Sequence, residues 1–429
     1  MSCFLLILFL AVLLRIVWQG ICEPKEFLQY PNLFASCFLL FIGLQSIILV
    51  FNPVVVSERV LEDNGVELVI VMFISCVLAG IWGYRTGMRC KVSVIRQGMS
   101  DRFLFGYGLL LVAIGLIGAY KMAQFFGGFS NQFLRGAHYT VWSGKVVQYN
   151  FWVSFMYPGV FMIFFSTVNS FSRRKLFFLI PALVYPLMTV FLLGRRYQMF
   201  YLAMMVVSCI GLLRGRYPKR LFLIGGYCVA VILLIVVPVL RTRQLNPDST
   251  RSFSASEIVY AYFREGRGAE VKAAMTAVAG SFSLGEYNMG MSIYDMFIFN
   301  YVPASIWGAE FKLSLLTGIN DRISDDIADR YGEDKDLGTF RTGPGSVFMM
   351  FGFLGAFLYF IQGAWFGRLW KQCQSNFGDD FLTLKYALML PSIFLGVVFC
   401  FEQMIIYVLQ VTVILFPLYL NSRFRRKEL

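Results

Sequence analysis

Continuous apolar runs of close to twenty residues recur along this chain, and they constrain its fold more than any other feature. A helical run of this length matches the thickness of the hydrocarbon core of a bilayer. The runs do not alternate between apolar and polar residues, as the strands of a membrane β-barrel do. The charged fraction of 15% is also well below the roughly 25% of soluble domains. The sequence therefore predicts an all-α, polytopic integral membrane protein.

About eleven runs are predicted to cross the membrane. They lie at residues 2–18, 33–51, 66–84, 103–120, 151–170, 176–193, 199–213, 221–240, 345–365, 381–399 and 404–420. The first run opens without a basic residue, so it is interpreted as a retained span and not as a cleaved signal peptide. Three regions follow from this order. They are spans one to eight with an outer loop at 121–150 (residues 1–240), a long outer loop with short helices (241–342), and spans nine to eleven with a basic tail (343–429).

Basic clusters set the predicted orientation. They follow the third, fifth, seventh and eleventh spans, at residues 85–102, 173–175, 214–220 and 423–427. All four clusters fall on one side if there are eleven spans, and the positive-inside rule makes that side the cytoplasm. The N-terminus is then outside and the C-terminus inside. Because the net charge of +13 serves orientation first, nucleic-acid binding is not expected.

Cysteine placement agrees with this orientation. None of the nine cysteines falls in the two large predicted outer loops, where an oxidising compartment would cross-link stray thiols. The chain has no CxxC pair and no Cys/His cluster. Neither a metal site nor another cofactor is therefore predicted.

Two adjacent arginines, Arg195 and Arg196, separate the apolar runs 176–193 and 199–213. One continuous helix would carry both charges to mid-membrane, at a cost of about 2.5–3.5 kcal/mol each. A hairpin that turns at Gly194 avoids this cost and puts the turn outside, where orientation does not require arginine. Two interpretations stay open. The pair either snorkels to outer headgroups or binds an anion such as a diphosphate, whose oxygens match the guanidinium fork.

Further outer arginines favour an anion site. They are Arg135, Arg264, Arg267 and Arg341. The alternative for each is an ordinary surface ion pair, and Glu265 and Glu270 could neutralise the middle two. Arg341 has no acidic neighbour after Asp336, which weakens that alternative for it.

The sequence offers several candidates for a general base. His138 is the single histidine, and its unperturbed pKa near ~6.5 suits proton transfer, although an ordinary loop residue is the alternative. Outer carboxylates are further candidates that the sequence does not rank: Glu62, Asp63, Glu286, Asp295 and Glu402. Aromatic side chains that could bind sugar faces include Trp142, Tyr197 and Trp307, with interfacial anchoring as the alternative. The apolar stretch 294–307 is too short to cross and predicts an interfacial or re-entrant helix that ends near Pro303.

Taken together, these features resemble a known family. They are the many spans, one long outer loop late in the chain, the turn Gly194-Arg195-Arg196, a "GG…R" segment from Gly127 to Arg135, and "TGPGSVFMMFGFLGAFLYFIQG" at 342–363. This ensemble is similar to bacterial O-antigen and exopolysaccharide repeat-unit polymerases of the Wzy type, which are related to O-antigen ligases. The resemblance covers most of the chain as topology. A departure lies in "VPASIWGAEFK" at 302–312, where Pro303 and Trp307 match the family's loop segment but its arginine and second proline are missing.

The resemblance implies a glycosyltransferase-C-like fold and an inverting glycosyl transfer without a metal. The substrates would be undecaprenyl-diphosphate-linked oligosaccharides at the outer face of the bacterial inner membrane, with membrane lipids, a chain-length regulator and a flippase as further partners. It assigns catalytic roles to His138, Arg195, Arg196 and Arg341. Substrate-binding roles are expected for Arg135, Arg264, Arg267, Tyr197, Trp142 and Trp307.

Other functions remain open from the sequence. An O-antigen ligase has the same family shape, and the absence of a histidine from the long loop favours the polymerase. A transferase that uses polyprenyl-monophosphate sugars often carries acidic residues in its first outer loop, where Glu62 and Asp63 lie. A transporter or flippase predicts internal repeats and charges at mid-span, and neither pattern is visible.

Overall fold

The computed structural model describes residues 2–51, 57–92, 99–135, 145–193, 196–245, 269–331, 342–375 and 379–426. Within these ranges the regular elements are helical and no strand occurs. Nine helical stretches in the described part of the chain are long and apolar enough to cross a membrane. The prediction of an all-α, multi-pass membrane protein is therefore confirmed at this level.

The first half of the chain forms twelve labelled helices within the described ranges. They are α1 (Ser2–Cys22), α2 (Tyr30–Cys37), α3 (Leu44–Phe51), α4 (Glu58–Glu62), α5 (Gly65–Arg89), α6 (Asp101–Phe126), α7 (Phe129–Arg135), α8 (Lys145–Ser154), α9 (Met156–Asn169), α10 (Arg173–Leu193), α11 (Arg196–Arg214) and α12 (Arg220–Leu245). A π-helical turn, Phe38–Gly43, joins α2 to α3.

The second half opens with short helices and ends with longer ones. They are α13 (Ala269–Leu284), α14 (Met291–Tyr301), α15 (Ala304–Trp307), α16 (Ala309–Ser314), α17 (Ile319–Tyr331), α18 (Gly343–Phe351), α19 (Ala356–Ser375), α20 (Asp380–Met389), α21 (Pro391–Val398) and α22 (Phe401–Arg426). A 3-10 turn, Gly352–Gly355, separates α18 from α19.

Nine of the predicted spans coincide with the nine apolar stretches of the described residues. The other two, predicted at 176–193 and 221–240, fall on α10 and α12. α10 has 21 residues and α12 has 26, so each has enough residues for a crossing, although neither is among the nine stretches. The total of eleven spans and the orientation stay predictions.

α5 and α19 form a close helix pair that meets through glycine. Gly83 lies against the carbonyl of Phe360, and Gly87 lies against the carbonyl of Ala364. A Cβ on Gly363 would come within 2.0 Å of a carbonyl oxygen of α5. Small residues at such spacing let helix backbones approach closely in membranes. The partners advance together along both chains, so the helices run parallel, as the predicted order requires of spans three and nine.

The chain reverses between α18 and α19. Gly352 has a φ of 59°, a left-handed conformation that suits glycine. A Cβ on Gly355 would lie 2.1 Å from the carbonyl oxygen of Val347, although these residues would be roughly 12 Å apart in a straight helix. α18 therefore folds back against α19 as a short hairpin. The predicted span at 345–365 is divided at this turn, and its first part is a buried helix of nine residues.

The predicted long outer loop contributes a buried helix to the bundle. α13 is mostly buried, and Glu270 in its first turn accepts a hydrogen bond of 2.6 Å from Nε2 of Gln45. The N–H groups of Asn288 and Met289 donate to the carbonyls of Met349 and Met350 and so cap the end of α18. This loop is therefore fixed to the start of α3 and to the end of α18.

We predict that Gly363→Ala destabilises the protein, because the added Cβ would overlap a backbone oxygen of α5 and force the helices apart. Such overpacking typically costs about 1–3 kcal/mol. The matched control is Gly106→Ala on the exposed face of α6, where a Cβ meets no atom within 4 Å. Thermal unfolding of the detergent-purified variants, followed by size exclusion, should show a lower midpoint for Gly363→Ala only. Equal midpoints for the two variants would contradict close packing at this seam.

Candidate functional site

Two helix beginnings and one helix end meet inside the protein. Thr342 is fully buried and caps α18 by accepting a hydrogen bond of 3.4 Å from the N–H of Gly345. Gly343 packs against the carbonyl oxygen of Gly396, near the end of α21, with no room for a Cβ. We call this region the helix-end junction and define it by Thr342, Gly343, Ser346, Gly396, Phe401 and Glu402.

Hydrogen bonds across the junction satisfy backbone groups that helix ends leave unpaired. Oγ of Ser346 accepts a bond of 2.9 Å from the N–H of Phe401 at the start of α22. The hydroxyl of Tyr359, on α19, donates to the carbonyl of Gly396 over 2.5 Å. α18, α19, α21 and α22 are thereby held in one fixed arrangement.

Glu402 is the exceptional residue of the junction. It lies in the first turn of α22, and only 3% of its surface is exposed. Its Oε2 has no hydrogen-bond partner among the described residues. The partial positive charge of a helix N-terminus favours a carboxylate at this position, yet a buried acceptor without a partner is rare and calls for an explanation.

An unpaired donor borders the same junction. Nε2 of Gln362 is buried and has no hydrogen-bond partner in the described part of the chain. It lies 3.2 Å from the point that a Cβ on Gly396 would occupy. The hydroxyl of Tyr359 borders the same region through its bond to Gly396. Unpaired donor and acceptor atoms in one buried region are the groups that a hydroxyl-bearing substrate could satisfy.

The structure distinguishes the carboxylates that the sequence predicts to be outer and leaves equal. Asp63 accepts hydrogen bonds of 3.1 and 2.8 Å from an arginine and a tyrosine of α17, and Glu286 pairs with another arginine there at 2.9 Å. Asp295 accepts two bonds from a threonine that follows α16, and Glu62 is exposed. Glu402 differs from all four because it is both buried and unpaired at one oxygen.

Most of the predicted site residues lie outside the described residues. They are His138, Trp142, Arg195, Arg264, Arg267 and Arg341, together with the predicted turn residue Gly194. Arg135 is the last residue of α7, and Arg196 is the first residue of α11. Two sequence relations bear on the site. Arg341 directly precedes Thr342, and Arg195 directly precedes Arg196.

Tyr197, predicted to bind substrate, is partly buried in the first turn of α11 and packs against buried tyrosines. Its ring centroid lies 6.1 Å from that of Tyr201 and 6.3 Å from that of Tyr407 on α22. Tyr157 on α9 stands 5.6 Å from Tyr201. This tyrosine cluster joins three helices, and only the position of Tyr197 was singled out by the sequence.

α7 contacts the second half of α10. Nε2 of Gln132 donates to the hydroxyl of Tyr185 over 2.8 Å, and both residues are buried. One turn further along α10, Thr189 shares a hydrogen bond of 2.8 Å with Tyr157 of the tyrosine cluster. The helix that ends at Arg135 is thus connected to the cluster through α10.

α11 begins at one of the main predicted arginines, and α18 begins shortly after another. Both helices contact α21. The ring of Tyr197 lies 6.2 Å from that of Phe394, whereas Gly343 contacts Gly396. Phe394 and Gly396 are two residues apart, so they project to different sides of one helix turn. The first turns of α11 and α18 therefore approach the same part of α21, although about 145 residues separate them in the chain.

Trp307 belongs neither to the helix-end junction nor to the tyrosine cluster. It is 62% exposed on α15, and its ring is 5.8 Å from that of Phe311. Glu270 accepts a hydrogen bond from Gln45. Its predicted pairing with Arg264 and Arg267 stays a prediction, because both arginines lie outside the described residues. Among the described residues, no group of three His, Cys, Asp or Glu side chains is arranged to hold a metal.

No protein-family model, curated protein or solved structure matches this chain. Its function is therefore inferred from the residues of the helix-end junction and of the tyrosine cluster.

Proposed function

We propose that this chain joins lipid-linked oligosaccharide repeat units into a surface polysaccharide at the outer face of the bacterial inner membrane, as a Wzy-type glycosyltransferase. The observation that carries this proposal is the convergence of α11 and α18 on α21 beside a buried carboxylate. α11 begins at Arg196, and α18 begins at Gly343, two residues after Arg341. The arginines that the sequence singles out thus adjoin two helices that both pack against α21.

Arg195, Arg196 and Arg341 bind the diphosphate of the donor in this proposal. The barrier to glycosyl transfer is the negative charge that develops on the departing diphosphate. Guanidinium groups at a partly desolvated membrane edge stabilise that charge without a divalent cation. The N-terminal end of α18, which carries a partial positive charge, adds to the same field. Arg135 on α7 is a second-rank candidate because its helix joins the tyrosine cluster through α10.

Glu402 is the proposed proton acceptor. Its unpaired Oε2 accepts the proton of the acceptor sugar's hydroxyl as that oxygen bonds to the anomeric carbon of the donor. The bond from the anomeric carbon to the diphosphate oxygen breaks, and its electron pair leaves with the lipid diphosphate. His138 is the alternative base and lies outside the described residues. A chain-length regulator and a flippase are proposed partners of such a polymerase.

The first prediction concerns the arginines. Arg195→Ala, Arg196→Ala and Arg341→Ala should each lower the amount and length of polymer, because each removes a charge from the departing diphosphate. Removing one preorganised donor of this kind typically slows a reaction by about 10²–10³-fold. The measurement is polysaccharide chain length in a deletion strain complemented with each variant at equal protein level. The matched control is Arg322→Ala, which breaks an exposed ion pair with Glu286. Wild-type polymer from all three variants would exclude the diphosphate assignment.

The second prediction separates a catalytic Glu402 from a structural one. Glu402→Gln keeps the shape of the side chain but removes the proton acceptor, so repeat-unit joining should fall by about 10²–10⁴-fold. Its thermal midpoint should be unchanged or higher, because the change removes a buried, unpaired charge. Purified protein with lipid-linked repeat units serves both measurements.

The matched control for Glu402→Gln is Glu286→Gln, which alters an exposed carboxylate with a surface partner. It should leave both activity and midpoint unchanged. Full activity of Glu402→Gln would count against the base assignment, and so would an activity loss that only follows a lower midpoint.

A further inference from the structure

The segment from Met289 to Ser314 presents an apolar outer surface. It contains α14, α15 and α16, and we call it the α14–α16 segment. Its exposed large apolar side chains are Met289, Met291, Tyr294, Phe297, Phe299, Ile306, Trp307, Phe311 and Leu313. Ile306 is 74% exposed and Leu313 is 65% exposed. Contiguous apolar surface on this scale is unusual where a protein meets water.

α17, the next helix of the same connection, exposes charged side chains instead of apolar ones. α17 buries Ile323, Ile327 and Tyr331 against the protein and turns charged side chains outward. The exposed residues of α17 are Asp321, Arg322, Asp325, Asp326, Asp329 and Arg330. Within about forty residues, the same connection therefore exposes an apolar surface on α14–α16 and a charged surface on α17.

The α14–α16 segment lies beside a membrane span and not above its end. The hydroxyl of Tyr301, the last residue of α14, donates to the carbonyl of Ile406 over 3.4 Å. Ile406 is five residues into α22, or about 7.5 Å along its axis. The ring of Tyr301 is also 6.1 Å from that of Phe151 on α8. Both partners belong to stretches that are long and apolar enough to cross a membrane.

Two of the three charged side chains of the segment are paired within the same connection. Nζ of Lys312 donates to the carbonyl of Phe299 over 2.6 Å and lies 4.8 Å from the centroid of that residue's ring. Asp295 accepts from both the N–H and the hydroxyl of Thr317, at 2.8 and 2.7 Å. Internal pairing of this kind is what a surface in contact with lipid requires, since acyl chains offer no hydrogen bonds. Glu310 on α16, the third charged side chain, is exposed.

We propose that the α14–α16 segment lies in the lipid leaflet on the side of the membrane where α22 begins, with its apolar side chains among the acyl chains. The partner is bilayer lipid and not a second protein. The reason is continuity. The segment packs beside α22, whose Leu409, Val413 and Phe416 are exposed along the span and face the same apolar medium.

The test uses the full chain in lipid nanodiscs. Cys3 and Cys228, the exposed thiols of the described residues, are replaced by serine, and the residual labelling of this parent is subtracted. Ile306→Cys, Leu313→Cys and the control Asp326→Cys are then labelled with an environment-sensitive fluorophore. Spin-labelled phospholipid serves as the lipid-side quencher and iodide as the aqueous quencher.

The expected result is that labels at Ile306 and Leu313 are quenched several-fold more by the spin-labelled lipid than the label at Asp326, and that iodide gives the reverse order. Iodide quenching of Ile306 and Leu313 equal to that of Asp326 would overturn the proposal. Protection of both sites from both quenchers would also overturn it, because a protein partner would then cover the surface. The result does not depend on which reaction the chain catalyses.

Discussion

The parallel glycine contact between α5 and α19 is the constraint on which the buried junction depends. Because Gly363 and Gly83 let two backbones touch, α19 is held against the bundle along its length. The tight turn at Gly352 then returns α18 along α19, and Tyr359 fixes the end of α21 through the carbonyl of Gly396. A side chain larger than hydrogen at Gly83 or Gly363 would displace α19. The contacts of α18 and α21 with α19 would then be displaced as well.

The spans could be predicted from the sequence, whereas the helix hairpin could not. Hydrophobic length reports burial in lipid, and nine stretches of the described residues have it. The turn at Gly352 interrupts a run that is apolar on both sides, so hydropathy does not mark the turn. The glycines of "FGFLG" were the available signal. Only the contact of Gly355 with Val347 shows that they reverse the chain instead of packing a straight span.

Some residues of the candidate site could likewise be predicted from the sequence, and others could not. Arginine beside an apolar run is visible in a sequence because charge opposes insertion, so Arg195, Arg196 and Arg341 could be selected. Burial of a carboxylate is a tertiary property, and Glu402 therefore looked equivalent to Glu62 or Asp295. The tyrosine cluster was also hidden, since its members come from three distant helices and each one alone resembles an interfacial anchor.

The long connection has two roles that belong together if the substrates are lipid-linked. Its α13 is tied to the bundle through Glu270 and Gln45, and Asn288 caps the α18 helix that begins at the junction. Its next part, with Ile306 and Leu313, turns toward an apolar medium. A sugar carried on a polyprenyl chain must leave the tail in lipid while the diphosphate reaches buried polar groups. A rigid connection between a lipid-facing segment and the cap of α18 would hold the membrane surface at a fixed distance from Glu402. Proximity of this kind lowers the entropic barrier for joining two membrane-bound substrates.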